Sequence, residues 1–159
     1  RRSLSQGAFV EERPPQADVR LASRTMRARG IHHLGVAVPD LDEALETYRR
    51  LFAAELEHRA VVPHMGVEAA AMLIGDSRVE LLAPTGGDTP VGRFLATRGP
   101  GMHHVAYEVE DVGVALAELV AAGAQLVDEV PRPGLFGLEV AFVHPDAVHG
   151  VLTEVVSVG

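Results

Sequence analysis

Cysteine is absent from the 159 residues, which excludes both a disulfide framework and any thiolate metal site. Lysine is absent too: every cationic side chain is arginine, a bias read as compositional. No apolar run approaches the length needed to span a bilayer. Net positive charge is also missing. The formal charge is -8, which argues against general nucleic-acid binding. What is present is ample core material, 47% hydrophobic residues, with an ordinary 23% of charged ones. The length suits one compact domain, or two small modules sharing a sheet. The expectation is a cytoplasmic protein, and any transition-metal site in it must be built from His, Asp and Glu.

The charge is unevenly placed. Residues 1–30 hold seven Arg against Glu11, Glu12 and Asp18; the rest of the chain holds seven Arg against 19 acids. Residues 1–29 show no clean period and carry Pro14–Pro15, so they are expected to form a flexible N-terminal extension. An organellar presequence is the alternative, suited by the Arg and Ser content and opposed by Glu11 and Glu12. No apolar segment of secretory type is present there.

From Ile31 the pattern becomes regular. Ile31–Val38 reads as a strand. Asp40 with Glu43 makes a capping box, and Leu41, Ala44, Leu45 and Tyr48 follow at helical spacing. Strand-like runs follow at Glu55–Val62, Val67–Ile74 and Arg78–Ala83, the last two joined by a Gly75–Asp76 turn. Pro90–Arg98 reads as a linking helix. A second round begins at Met102–Val109, with Asp111 capping a helix that Gly123 ends in left-handed conformation. Strands are then expected at Gln125–Glu129, Leu138–Val143 and Gly150–Val156.

The second round repeats the first. His32–His33 and His103–His104 are 71 residues apart, and Asp40/Asp111 and Leu45/Leu116 keep that offset. The closing strands Val79–Leu82 and Thr153–Val156 match after a three-residue insertion. Such an internal repeat makes each round one structural unit. The resulting fold class is α+β: two paired βαβββ modules, over 30–85 and 101–159, joined by a helix within 86–100. Together they form an open, cup-like mixed β-sheet.

Strand alternation then assigns faces. Leu34, Val36 and Val38 point towards the first helix, while His33, Gly35 and Ala37 point to the concave side. Val105, Tyr107 and Val109 lie under the second helix, leaving His104 and Ala106 concave. In the closing strands Glu80 and Glu154 face the cup from within apolar runs, where an unpartnered carboxylate is costly to bury. Each His or Glu alone is more often structural; the symmetric recurrence of both reverses that reading. His33, Glu80, His104 and Glu154 are therefore the candidate metal ligands. Two imidazoles and two carboxylates suit a divalent ion such as Co, Mn, Ni, Fe or Zn, with two positions left open in an octahedral shell. The off-phase His32 and His103 are read as structural or as supports for the ligands.

The segments Ile31–Asp40, Gly75–Pro84, Gly101–Tyr107, Phe142–Pro145 and Gly150–Glu154 resemble methylmalonyl-CoA epimerases, a branch of the vicinal oxygen chelate superfamily. The resemblance covers about residues 30–157. It implies a metal-dependent isomerase, a homodimer, acting on a small-molecule acyl-CoA; the acidic charge and the lack of a long apolar run leave no nucleic-acid or membrane partner expected. The reaction implied is inversion at C2 of methylmalonyl-CoA, or of a close 2-substituted malonyl-CoA. The chain departs from this family around the substrate. His64-Met65 stands where relatives carry Glu-Gln or Glu-His, and Ala69 stands where some bacterial members place a catalytic Glu. Asp146 replaces a Lys after the His-Pro pair. The candidate catalytic residues are therefore Glu154 and His64. The alternatives are another superfamily enzyme acting on a chelating substrate, such as a lyase or isomerase of secondary metabolism, or a non-catalytic binding or resistance protein.

Overall fold

The computed structural model describes residues 26–159. Most of the expected N-terminal extension therefore lies outside the described residues. Its last part is tied to the sheet. Met26 packs beside the core under the second module's helix, and the Arg29 amide donates to the Glu108 carbonyl at 2.8 Å.

The elements run β1 (Gly30–Ala37), α1 (Leu41–Phe52), β2 (Glu55–Val62), β3 (Val67–Ile74), β4 (Ser77–Pro84), α2 (Pro90–Arg98), β5 (Gly101–Glu108), α3 (Val112–Ala121), β6 (Arg132–Pro133), β7 (Glu139–Val143) and β8 (Thr153–Ser157). They build one eight-stranded sheet in the order β2-β3-β4-β1-β5-β8-β7-β6. Each module closes on its own first strand by a parallel pair, β1 with β4 and β5 with β8. The modules join through the antiparallel pair β1–β5. The mixed sheet and the duplicated βαβββ order are those the repeat predicted.

Local chemistry fixes the helix ends. The Asp40 carboxylate accepts from the Glu43 amide at 2.9 Å and the Asp111 carboxylate from the Val114 amide at 2.7 Å, each satisfying an otherwise orphaned donor. Gly123 takes φ +85°, as its position after α3 requires. On the convex face α1 buries Leu41 and Leu45 against Val38, Ala70, Met72 and Leu81. At the matching place α3 buries Val112, Ala115 and Leu116 against Val109, Ala141 and Val155. Each buried Leu contributes about 2 kcal/mol by transfer from water. Val36 and Val79 join the first cluster, so the predicted helix-facing phase holds. Among the described residues no helix is long and apolar enough to cross a membrane.

Two expected strands are corrected. Gln125–Glu129 forms no strand; only a single bridge, Leu126 to Val143, survives there. The Val127 and Asp128 amides both donate to the Phe142 carbonyl, at 2.9 and 3.1 Å, and the Asp128 carboxylate takes the Phe142 amide at 2.9 Å. A side chain thus occupies a ladder position. Regular pairing with β7 is deferred to the two residues of β6. The last strand begins at Thr153, not at Gly150, because Pro145–Val148 makes a 3-10 turn that ends with His149 at φ +53°.

Candidate active site

The register of the central strands assembles the site. Gly35 on β1 stands opposite His104 on β5 and beside Glu80 on β4. By the same pattern Ala106 on β5 stands opposite His33 on β1 and beside Glu154 on β8. Two small residues at the middle of the sheet are thus ringed by two imidazoles and two carboxylates, and each module supplies one of each. Gly35 faces the concave side, and the space above it is filled by the His104 ring.

All four polar side chains are buried, none more than 5% exposed. His33 Nε2 lies 3.0 Å from His104 Nε2. Glu80 Oε2 is 3.5 Å from His33 Nε2 and 3.8 Å from His104 Nε2. Glu154 reaches the same two atoms at 4.0 and 3.6 Å. Adjacent donors around an octahedral ion at bonds of about 2.1 Å sit about 3.0 Å apart, so these separations close on a common centre with a small inward adjustment. The tightest group is His33, His104 and Glu154, whose donor atoms all lie within 4.8 Å of one another. Among the described residues the ion-pair contacts of both carboxylates are to these imidazoles alone. Two buried acids so placed are short of positive charge, and a divalent cation supplies it. The donor set fits a metal.

The ionisation of the group reflects this crowding. Burial pushes the Glu154 carboxyl up to about 8; the nearby Glu80 charge adds to the rise, and His33 and Arg132 oppose it. Burial drives His104 well below the usual imidazole range, reinforced by His33 and His103. His33 is the exception. Burial lowers it, but its contact with Glu80 and the charges of Glu80 and Glu154 outweigh that and carry it upward.

Support comes from the preceding residue of each His pair. His32 Nδ1 lies 2.8 Å from His33 Nδ1, and His103 Nδ1 lies 3.0 Å from His104 Nδ1. Both inner rings therefore turn Nε2 to the centre, the outer-partner role expected of His32 and His103. Behind His32 the Arg78 guanidinium grips both oxygens of Glu57, at 2.6 and 2.8 Å, and reaches to 3.4 Å from His32 Nε2. The sequence reading missed this pair. Alternation places Arg78 on the face of Glu80, which was the available signal.

A cavity of about 660 Å³ opens over the centre, with Glu80, His104 and Glu154 in its lining. The rest of its lining is largely apolar and includes Met65, Val67, Leu82, Val91 and Leu135. Phe142 stands edge-on to His104, ring centroids 5.4 Å apart, and Arg132 lies 5.2 Å over the Phe142 ring. Phe142 and Arg132 were not foreseen as site residues. His64 lines the same cavity but sits at its exposed rim, with Nε2 3.2 Å from the Pro133 carbonyl. It touches none of the four central residues through a hydrogen bond. Ala69 is fully buried in the core. Glu68 is turned away to Arg59 at 2.8 Å, because β3 pairs with β4 without a bulge.

Comparison with known proteins agrees with this fold. The model of the Glyoxalase/Bleomycin resistance protein/Dioxygenase superfamily matches residues 32–142. The chain is 33% identical over 158 residues to the mitochondrial methylmalonyl-CoA epimerase of Bos taurus, covering 93% of this chain and 90% of that protein. It is 36% identical over 126 residues to the ethylmalonyl-CoA/methylmalonyl-CoA epimerase of Cereibacter sphaeroides, covering 78% and 94%. A solved methylmalonyl-CoA epimerase in complex with methylmalonyl-CoA and NH4+ superposes with a TM-score of 0.80 at 37% identity, over 82% of this chain and 95% of the other. The Mycobacterium tuberculosis epimerase gives 0.79 at 31% identity, over 85% and 91%.

Proposed function

The chain belongs to the glyoxalase/bleomycin resistance protein/dioxygenase superfamily and, within it, to the methylmalonyl-CoA epimerases, and from that premise we propose that it inverts C2 of methylmalonyl-CoA or a close 2-substituted malonyl-CoA. The observation that carries this reading is the meeting of His33, Glu80, His104 and Glu154 under one half-apolar cavity.

The C2 proton of such a substrate lies between a thioester carbonyl and a carboxylate. Its removal puts charge on the thioester oxygen, and stabilising that charge is the main demand on the site. A divalent ion (Co, Mn, Ni, Fe or Zn) held by the four residues supplies Lewis acidity there when bound. The protein's own tasks follow from its geometry. The supported imidazoles and the two acids are fixed before substrate arrives, so little reorganisation remains. Val67, Leu82 and Val91 line the cavity with apolar surface and exclude water from the reacting carbon.

Proton transfer falls to two groups. His64 Nε2 donates to the Pro133 carbonyl, which leaves Nδ1 as the free acceptor. Glu154 would be an ionised carboxylate when it helps to hold the ion, and so a base at the centre of the site. His64 at the rim and Glu154 at the centre are the proposed proton-transfer pair, exchanging roles with the direction of the reaction. The active form is proposed to be a homodimer in the cytoplasm; sedimentation at monomer mass would refute the dimer.

The test is proton exchange by NMR. Metal-loaded protein is incubated with methylmalonyl-CoA in D₂O, beside no-enzyme and chelator controls. Exchange at C2 well above both controls, with conversion of one epimer into the other, is expected. Exchange no faster than the controls refutes the reading.

A further inference from the structure

Both modules give the cavity apolar side chains, among them Met65, Val67 and Leu82 from the first and Leu135, Leu138 and Leu152 from the second; Leu135 is the one that packs into a core cluster of the first module. Between β6 and β7 the chain Gly134-Leu135-Phe136-Gly137-Leu138 forms a strap that inserts Leu135 among Val62, Val67, Ala69, Leu82 and Val91. Leu135 is 6% exposed and lines the cavity shared with Glu80 and Glu154. Val67, Leu82 and Val91 ride on β3, β4 and α2, whose ladders and helical bonds fix them. The backbone of Leu135 belongs to the strap.

The strap has its own fastening. Phe136 takes φ +58°, ψ +29°, a left-handed conformation uncommon for a bulky residue. That turn carries its ring onto His58 of β2, centroids 5.0 Å apart and planes at 30°. The Gly134 amide donates to the Leu138 carbonyl at 2.8 Å, and the Leu138 amide to the Leu135 carbonyl at 3.1 Å. Gly134 admits no side chain, since a Cβ there would meet the Val140 side chain at 2.5 Å. His64 ties the neighbouring Pro133 to the first module. Backbone strain of this kind persists only where surrounding contacts hold it.

We propose that Leu135, latched in place by Phe136 on His58, sets the largest 2-substituent that the cavity admits. The inference rests on the epimerase reading and deepens it. With the two oxygens of the substrate at the polar centre, its 2-alkyl group is the apolar part that must meet the apolar wall. Leu135 shares a packed cluster with Leu82, two residues along β4 from Glu80, and its backbone lies in the strap and not in the sheet.

The experiment compares kcat/KM for methylmalonyl-CoA and butylmalonyl-CoA in wild type, Leu135→Ala and Leu135→Val. One methylene in such a wall changes selectivity about tenfold or more. The butyl-to-methyl ratio is therefore expected to rise about tenfold in Leu135→Val and further in Leu135→Ala. The Val variant keeps the test alive if the Ala variant fails to fold. His58→Ala, outside the cavity lining, is expected to raise the same ratio by loosening the latch. Active variants with the wild-type ratio overturn the specificity role and leave the epimerase reading intact. A wild type inactive on both substrates overturns both.

Discussion

The imidazole of His104 lies directly across Gly35: a Cβ on residue 35 would stand 2.2 Å from its Cε1 and 2.3 Å from its Nδ1. The His104 ring is buried and pinned by His103, so it has nowhere to withdraw. Gly35→Ala is expected to displace His104 Nε2 and lower affinity for Co²⁺ or Zn²⁺ at least tenfold, a loss typical of disturbed ligand support. Titration against a chelating dye measures it. His104→Ala is expected to lose metal loading and activity altogether. A metal-free His104→Ala protein with full activity would sink the ligand assignment.

Metal removal should reshape the pH dependence of stability. The folded Glu154 carboxyl sits at about 8, above its ordinary value of 4.5. Between those values the folded state holds a proton that the unfolded chain has released. His104, held well below the usual imidazole value of 6.5, makes stability rise with pH below that value, so the Glu154 effect is read above it. From pH 7 to pH 8.5 the stability of the chelator-treated protein should fall, and added metal should offset the loss most at the alkaline end. Thermal unfolding at pH 7 and pH 8.5, with and without Zn²⁺, tests this. A metal-free protein more stable at pH 8.5 than at pH 7 contradicts it.

His64→Gln keeps a donor for the Pro133 carbonyl but removes the basic nitrogen. Loss of a general base typically costs 10²–10⁴-fold, so kcat should fall about a hundredfold with metal content unchanged. Steady-state assay beside metal analysis separates the two. An unaltered kcat would show that His64 takes no proton.

Asp111→Ala removes the bond to the Val114 amide and should cost about 1 kcal/mol of stability. Urea denaturation would register the shift in midpoint. Because α3 packs on the convex face, the site should keep its metal affinity.

The four central residues were legible in the sequence because strand alternation is periodic and the modules repeat, at an offset of 71 residues for His33 and His104 and of 74 for Glu80 and Glu154. A single His or Glu carried little; the same residue at the same phase in two modules carried much. Helix caps were legible for a similar reason, since Asp40 and Asp111 act within three residues of their partners. Gln125–Glu129 misled because Asp128 takes the Phe142 amide, a contact 14 residues away in the chain. The Arg78–Glu57 clamp and the placing of Leu135 were hidden likewise. Both depend on which strands become neighbours, and the local pattern does not encode that.

The pairing of β1 with β5 has a consequence for how the chain can be divided. Everything joining His33 to Glu80 is internal to the first module, and everything joining His104 to Glu154 is internal to the second. Between them run the antiparallel seam and the contacts of the Leu135 strap, and the modules are bridged covalently only through the segment that holds α2. A chain cut in that segment would yield two fragments, each with half of the ligand set. Reassociation along the seam would restore the centre, so metal would act as the reporter, and the glue, of fragment complementation.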